Sequence, residues 1–301
     1  MKICVVGAGS FGRALAGLLG EKWGEDSVCL WKRGDDFAPL LCGADFAVYA
    51  VPAQAFREVF AASMDCLSPK TIVINVAKGI ELNSLKRLSQ IADELRPETC
   101  YVALSGPSHA EEIQLGLPTT VTVCSEDEEA ALKAQDLFMT ENFRVYTGSD
   151  MAGTEVGGAV KNVIALAAGI SDGLGFGDNT KAALMTRGMA EITRLGVALG
   201  ARPETFLGLT GFGDLIVTCT SMHSRNRRCG ILLGQGVPAS DAIAQIGMVV
   251  EGASTARSAL CLAEKLKVDM PITEAVCAIL DGKASPKETV CRLMTRERKP
   301  E

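Results

Sequence analysis

Lys161 lies in the stretch Glu155-Val156-Gly157-Gly158-Ala159-Val160-Lys161-Asn162-Val163-Ile164-Ala165-Leu166, where a charge is costly. Val156, Val160, Val163, Ile164 and Ala167 follow helical spacing closely enough to bury most of a helix surface, so the lysine projects from a largely interior segment. Either its stem snorkels along the helix and leaves the ammonium in water, or it is a proton donor or substrate anchor in a cleft. A second lysine, Lys78 in Asn75-Val76-Ala77-Lys78-Gly79-Ile80-Glu81, follows a predicted strand. It falls at the carboxyl edge of a sheet, where open α/β folds bind ligands. The run Ser224-Arg225-Asn226-Arg227 opens a predicted helix. Arginine supplies a planar fork, and serine and asparagine supply directional hydrogen bonds, which suits a phosphate; a solvated basic helix start is the alternative.

Gly7-Ala8-Gly9-Ser10-Phe11-Gly12 follows the apolar run Ile3 to Val6 and opens a helical pattern. That context turns a weak GxGxxG match into a dinucleotide fingerprint. Gly7 permits the tight turn, Gly9 lets the backbone approach a pyrophosphate, and Gly12 lets helix and strand pack closely. The exposed amides at the helix start then bind phosphate. Ser105-Gly106-Pro107-Ser108-His109-Ala110-Glu111 leaves a later strand at the same edge. Ser108 and Glu111 fit a capping box, a structural role that can coexist with anion binding. His109 and His223 are the only histidines and lie far apart in sequence, which argues against a histidine metal site; no metal is expected. Gly173 to Lys181 is a glycine-rich turn into a helix, and its glycines most simply allow close packing.

The elements that must position these groups divide the chain in two. Strands at residues 3–6, 27–31, 46–51, 71–76, 101–104, 119–123 and 143–146 alternate with helical patterns at 55–62, 84–95, 108–115 and 126–138. This predicts a Rossmann-like, doubly wound, mostly parallel sheet over residues 1–148. Only Gly34 to Ala44 separates the second strand from the third, so that crossover must be a short helix or an irregular loop. Residues 149–301 read as an all-α domain, with helices at 151–170, 180–199, 226–233, 240–246, 253–266, 272–280 and 286–294. The last helix carries a capping box from Ser285 to Glu288. Lys161 thus falls just after a domain junction, a preferred place for a ligand cleft.

An NAD-selective site places an acid at the end of the second strand, for the ribose 2′-hydroxyl. Here that strand ends in Trp31-Lys32-Arg33, which predicts a preference for NADPH with NADH tolerated; solvated basic residues are the alternative. A net charge of −6 argues against a nucleic-acid binder, so an anionic substrate needs a local basic pocket. Eleven cysteines without a Cys-x-x-Cys pair read as reduced, cytosolic usage. The chain enters a strand at once and has no run of membrane-spanning length, so a soluble, cytoplasmic protein is expected.

Taken together, these motifs resemble the bacterial NAD(P)-dependent glycerol-3-phosphate dehydrogenases. The resemblance rests on Gly-Ala-Gly-Ser-Phe-Gly at 7–12, Ala-Lys-Gly-Ile-Glu at 77–81, Ser-Gly-Pro-Ser-His-Ala at 105–110, Gly-Gly-Ala-Val-Lys-Asn at 157–162, Ser-Arg-Asn-Arg-Arg at 224–228 and Val-Val-Glu-Gly at 249–252. It implies that Lys161 is the proton donor and acceptor in reduction of dihydroxyacetone phosphate. It implies substrate contacts at Lys78, Gly106, Ser108, Asp214, Ser224, Arg225 and Asn226. Cofactor contacts are implied at Ser10, Phe11, Arg33, Lys78, Ala110, Arg225, Val249 and Glu251, besides the glycine turn. Related hydroxy-acid dehydrogenases share the two-domain plan but place an asparagine four residues after the lysine, where this chain has Ala165; here Asn162 is adjacent. The family usually has some thirty more residues between the second and third strands. Their loss predicts weaker cofactor affinity or compensation by a partner subunit in a homodimer. A dehydrogenase of another small hydroxy acid is the second reading and a non-catalytic dinucleotide sensor the third, although a sensor needs none of Lys161, Lys78 and Arg225.

Overall fold

The computed structural model describes residues 1–297. Seven strands form one sheet in the order β2-β1-β3-β4-β5-β6-β7, parallel throughout except where β5 meets β6. They are β1 (Ile3–Val6), β2 (Val28–Trp31), β3 (Phe46–Tyr49), β4 (Ile72–Asn75), β5 (Tyr101–Ser105), β6 (Thr119–Cys124) and β7 (Phe143–Gly148). Ile3 and Val5 enter one hydrophobic core, with Leu15 and Leu19 of α1 (Ser10–Trp23) and Phe138 of α6 (Glu128–Phe138). Cys4 and Val6 enter the other, with Phe56 and Phe60 of α3 (Phe56–Ser63) and Ile91 of α4 (Leu88–Leu95). Because both faces are covered, the central strands read as unbroken apolar runs rather than alternating ones. Val6 pairs with both Trp31 and Tyr49, so the carboxyl ends of β1, β2 and β3 share one edge.

The crossover from β2 to β3 passes β1 with a single helical turn, α2 (Ala38–Leu41), as its short length demanded. Trp31 stacks on Phe37 there at 4.6 Å, packing the brief connection onto the sheet.

Beyond β7 the chain is helical. Helix α7 (Met151–Gly173) is buried without a break from Val156 to Ser171. Around it pack α8 (Asp178–Ala198), α9 (Asp214–Thr220), α10 (Arg225–Gly234), α12 (Glu251–Leu266) and α13 (Pro271–Leu280). Helix α11 (Ala239–Ile246) lies on α10, and α14 (Pro286–Met294) begins at the Ser285–Glu288 capping box that the sequence predicted. A helix apolar on all sides needs neighbours on all sides, and α7 is the axis of this half.

Three local expectations are corrected. The helix predicted from Ser84 starts only at Leu88, because residues 80–87 turn back to form the bridge Ile80–Arg87, with Leu85 at φ 59°. Ser108 does not cap the next helix: α5 (Ala110–Gln114) is preceded by His109, and the Ser108 hydroxyl donates instead to the Gly106 carbonyl at 2.9 Å. Helix α9 was not among the predicted helices; the chain takes a π-helical turn over Leu209–Gly213 and continues directly into α9.

Candidate active site

Lys161 is only 5% exposed, so the snorkelling alternative is excluded. Its ammonium donates to Asp214 Oδ1 and, at 2.6 Å, to Thr218 Oγ1. Asp214 and Thr218 are one helical turn apart on α9 and therefore face the same point. The other oxygen of Asp214 accepts from Lys78 Nζ at 2.7 Å, and Lys78 donates also to the Gly106 carbonyl at 2.9 Å. Gly106 adopts φ 133°, a conformation glycine tolerates, where the chain leaves β5. One carboxylate thus bridges two ammonium groups drawn from the sheet edge and from α7. Burial lowers the Lys161 pKa to about 8, with Lys78 pushing the same way and Asp214 opposing. For Asp214, burial favours the neutral acid, but the two cations outweigh it and the net shift is downward.

The run Ser224 to Arg227 separates into two roles. Ser224 caps α10, accepting from Arg227 N at 3.2 Å, and Arg225 at the first helical position lines the cavity beside it. Asn226 is buried: its amide donates to Asn162 Oδ1 at 3.0 Å and its oxygen accepts from Gly252 N at 2.9 Å, binding α10, α7 and α12 together. Arg227, expected alongside Arg225, turns away to Asp172. The two histidines, distant in sequence, meet with ring centroids 5.8 Å apart where the cavity lies between the halves. Burial and then the charge of Lys161 hold the His109 imidazole below its usual pKa, favouring its neutral form. Among the described residues, no three His, Cys, Asp or Glu side chains are arranged to hold a metal.

The third pole is the glycine turn. Gly7 has φ 122°, and a methyl there would press on the Ala50 carbonyl; one on Gly12 would collide with the Gly7 carbonyl. A methyl on Gly9 would meet nothing within 4 Å, and no side chain caps α1. The open approach and uncommitted amides fit a dinucleotide pyrophosphate. Ser10, Phe11, Ala110, Val249 and Glu251 line the same cavity of about 400 Å³ as Lys78, Lys161, Ser108 and Ser224. Glu251 accepts from Ala53 N at 3.0 Å, and burial raises its pKa. Arg33 is exposed in the turn after β2 and is not among the residues lining the cavity.

Residues 150–291 match the family model described as NAD-dependent glycerol-3-phosphate dehydrogenase C-terminus, and residues 32–131 match the corresponding N-terminus. The NAD(P)+ glycerol-3-phosphate dehydrogenase of Clostridium perfringens is 48% identical, covering 100% of this chain and 99% of that protein. The chain belongs to the NAD-dependent glycerol-3-phosphate dehydrogenase family. A relative from Clostridium tetani is 57% identical over 87% of this chain and 75% of its own length. The solved glycerol-3-phosphate dehydrogenase of Coxiella burnetii superposes with a TM-score of 0.93 at 33% identity, covering 98% of this chain and 99% of that one. Alignment with the Clostridium perfringens relative extends over 329 positions, against 301 residues here, consistent with a shortened chain.

Within this family frame, the structure gathers most of the predicted site around one cavity and adds groups that sequence reasoning passed over. Thr218 touches the Lys161 ammonium; its signal was the spacing of four from Asp214, invisible while α9 went unrecognised. Ala50, Val51 and Pro52 form an apolar wall just past β3, and Met248 closes another side. Gly7, Gly12, Gly106 and Asp214 shape or brace the cavity rather than lining it.

Proposed function

We infer that the chain catalyses the reversible NAD(P)H-dependent reduction of dihydroxyacetone phosphate to sn-glycerol 3-phosphate, which feeds glycerophospholipid synthesis. The observation that carries this reading is a buried ammonium, Lys161, sharing one cavity with an arginine at a capped helix start and with the glycine turn. Bound NAD(P)H supplies the hydride to the C2 carbonyl. Gly9, Ser10 and Phe11 would hold its phosphates on the turn that Gly7 and Gly12 shape, with Ala110, Val249, Glu251, Lys78 and Arg225 completing the cofactor contacts. Lys32 and Arg33 favour NADPH over NADH by offering charge to a 2′-phosphate.

Ser224, Arg225 and Asn226 anchor the substrate phosphate, which orients the carbonyl without reacting. Ser108, Gly106 and Lys78 border the reacting end. As negative charge grows on the carbonyl oxygen, the Lys161 ammonium stabilises it and then donates the proton. Asp214 makes that possible: without a counter-charge, burial would drive the lysine toward its neutral form. With its pKa brought down to about 8, Lys161 is a better acid than a free lysine yet still protonated at neutral pH.

The same reading assigns residues 1–148 to dinucleotide binding and 149–301 to substrate and catalysis, in a cytoplasmic enzyme that assembles as a homodimer. Among the described residues no helix is long and apolar enough to cross a membrane. Purified protein is expected to oxidise NADPH when dihydroxyacetone phosphate is added, with higher kcat/KM than with NADH. A small 2-keto carboxylate outcompeting dihydroxyacetone phosphate would select the hydroxy-acid reading instead, and an NADH efficiency equal to or above that of NADPH would overturn the cofactor preference.

A further inference from the structure

The distance between Lys161 and the phosphate anchor is set by two helices, α7 carrying the lysine and α10 beginning at Arg225. They meet backbone against backbone. A methyl on Gly169 would stand 2.9 Å from Gly230 Cα, and one on Gly173 would stand 2.9 Å from Gly234 Cα. Such a seam leaves no side chain between the helices to yield, so α10 can move along α7 only by losing it.

At the end of this seam stands Asp172. Its Oδ2 accepts from Arg227 Nε at 2.8 Å and its Oδ1 from Lys181 Nζ at 2.7 Å. The side chains of Asp172, Arg227 and Lys181 are 14%, 13% and 18% exposed, so the cluster is largely shielded from water. Arg227 does more than neutralise the acid. Its Nη1 donates to the Thr220 carbonyl at 2.8 Å and touches Met222 Sδ at 3.0 Å, while its backbone N–H donates to Ser224 Oγ. One arginine therefore holds both ends of the segment 220–224, which carries His223 and Ser224 to the cavity. Lys181 brings in the start of α8, so the glycine-rich stretch from Gly173 gains a purpose: it turns the chain tightly enough for Lys181 to reach back to Asp172.

We infer that Arg227, held by Asp172, is a positioning residue for the substrate phosphate. The inference rests on the dihydroxyacetone phosphate reading above. Arg227 touches neither the cavity nor the reacting atoms; it fixes the helix start that Ser224 caps and from which Arg225 projects. Freed from Asp172, the segment samples other positions, and an anchor that must be ordered on binding loses affinity. A planar fork with three separate acceptors cannot be replaced by a point charge.

The test compares the full-length parent with Asp172→Asn, Asp172→Glu and Arg227→Lys. KM for dihydroxyacetone phosphate is expected to rise about tenfold in Asp172→Asn and Arg227→Lys, the loss of about one charge-assisted hydrogen bond. KM for NADPH, for which Arg225 is one contact among many, should rise by no more than about threefold and kcat should stay within about threefold, and Asp172→Glu should recover part of the substrate affinity. A cofactor KM rising as much as the substrate KM would indicate general loosening and overturn the positioning role, as would a fall in kcat alone. If the parent fails to turn over dihydroxyacetone phosphate, the function reading falls by itself. Calorimetric titration of the full-length proteins with inorganic phosphate still decides the inference: a Kd unchanged in both Asp172→Asn and Arg227→Lys overturns it, and a weakening of about tenfold upholds it.

Discussion

At the acid pole of the cavity Lys161 and Asp214 are buried, and half-buried Lys78 shares the same carboxylate, so each charge is answered by another. At the proposed cofactor pole the groups on offer are uncommitted backbone amides and an open glycine, with an exposed arginine, Arg33, lying outside the cavity on a crossover of one helical turn. The contrast follows from what each pole must do. Stabilising a developing oxyanion depends on fixed charges in a dry site, where reorganisation would cost the most. Holding a dinucleotide is spread over many weak contacts, so one segment can shrink without abolishing the site. Chemistry therefore resides where the packing is closest, and variation in chain length falls where contacts are most dispersed.

This contrast orders the effects of mutation. Lys161→Ala removes the acid itself and should lower kcat by about a thousandfold or more, while the Kd for NADPH measured by fluorescence titration stays within about threefold. A matching loss of NADPH binding would erase the distinction between the poles. Asp214→Asn comes next. It leaves two ammonium groups facing each other in a buried site, a loss on the order of 3–5 kcal/mol that denaturant titration would register. It should also move the pH profile. If Lys161 is the proton donor proposed above, kcat/KM of the parent should fall as pH rises through about 8. Removing Asp214 takes away the charge that holds the proton, so the fall should begin at lower pH in the variant. A fall shifted to higher pH would show that Asp214 does not support the charged lysine.

The smallest effect belongs to the cofactor pole. Arg33→Ala should raise KM for NADPH about fivefold and change KM for NADH less than twofold, the scale of one exposed charge contact. Equal changes for the two cofactors would mean that Arg33 does not read the 2′-phosphate.

How much of this was legible in the chain depended on whether the signal was local. The glycine turn was, because strand, glycine spacing and helix are contiguous, and each of Gly7, Gly9 and Gly12 meets the surroundings its assigned task requires. Helix α7 was legible from its period, and the cost of burying Lys161 pointed to a partner without naming it. The partner, Asp214, came only with the family resemblance, as a substrate contact; its bridging of two lysines needed three segments in place. The contact of His109 with His223 was illegible for the same reason, as separation along the chain says nothing about separation across a cleft. Ser108 failed differently. Its capping pattern with Glu111 was real, but the backbone at Gly106 turned the hydroxyl toward a nearer acceptor, and a local motif yielded to the geometry of its neighbour.

Carboxylates of the helical half reach repeatedly into the sheet half. Asp214 takes Lys78, Glu155 takes Arg87 at 2.7 Å and the Ser89 amide at 2.8 Å, and Glu251 takes the Ala53 amide. Each of these acids is buried or nearly so, and each would be left without its partner if the halves came apart. The cost of stranding them falls on any state in which only one half is folded. Assembly of the charges around the cavity is thereby tied to docking of the two halves, because a species with only one half folded leaves these acids without their partners.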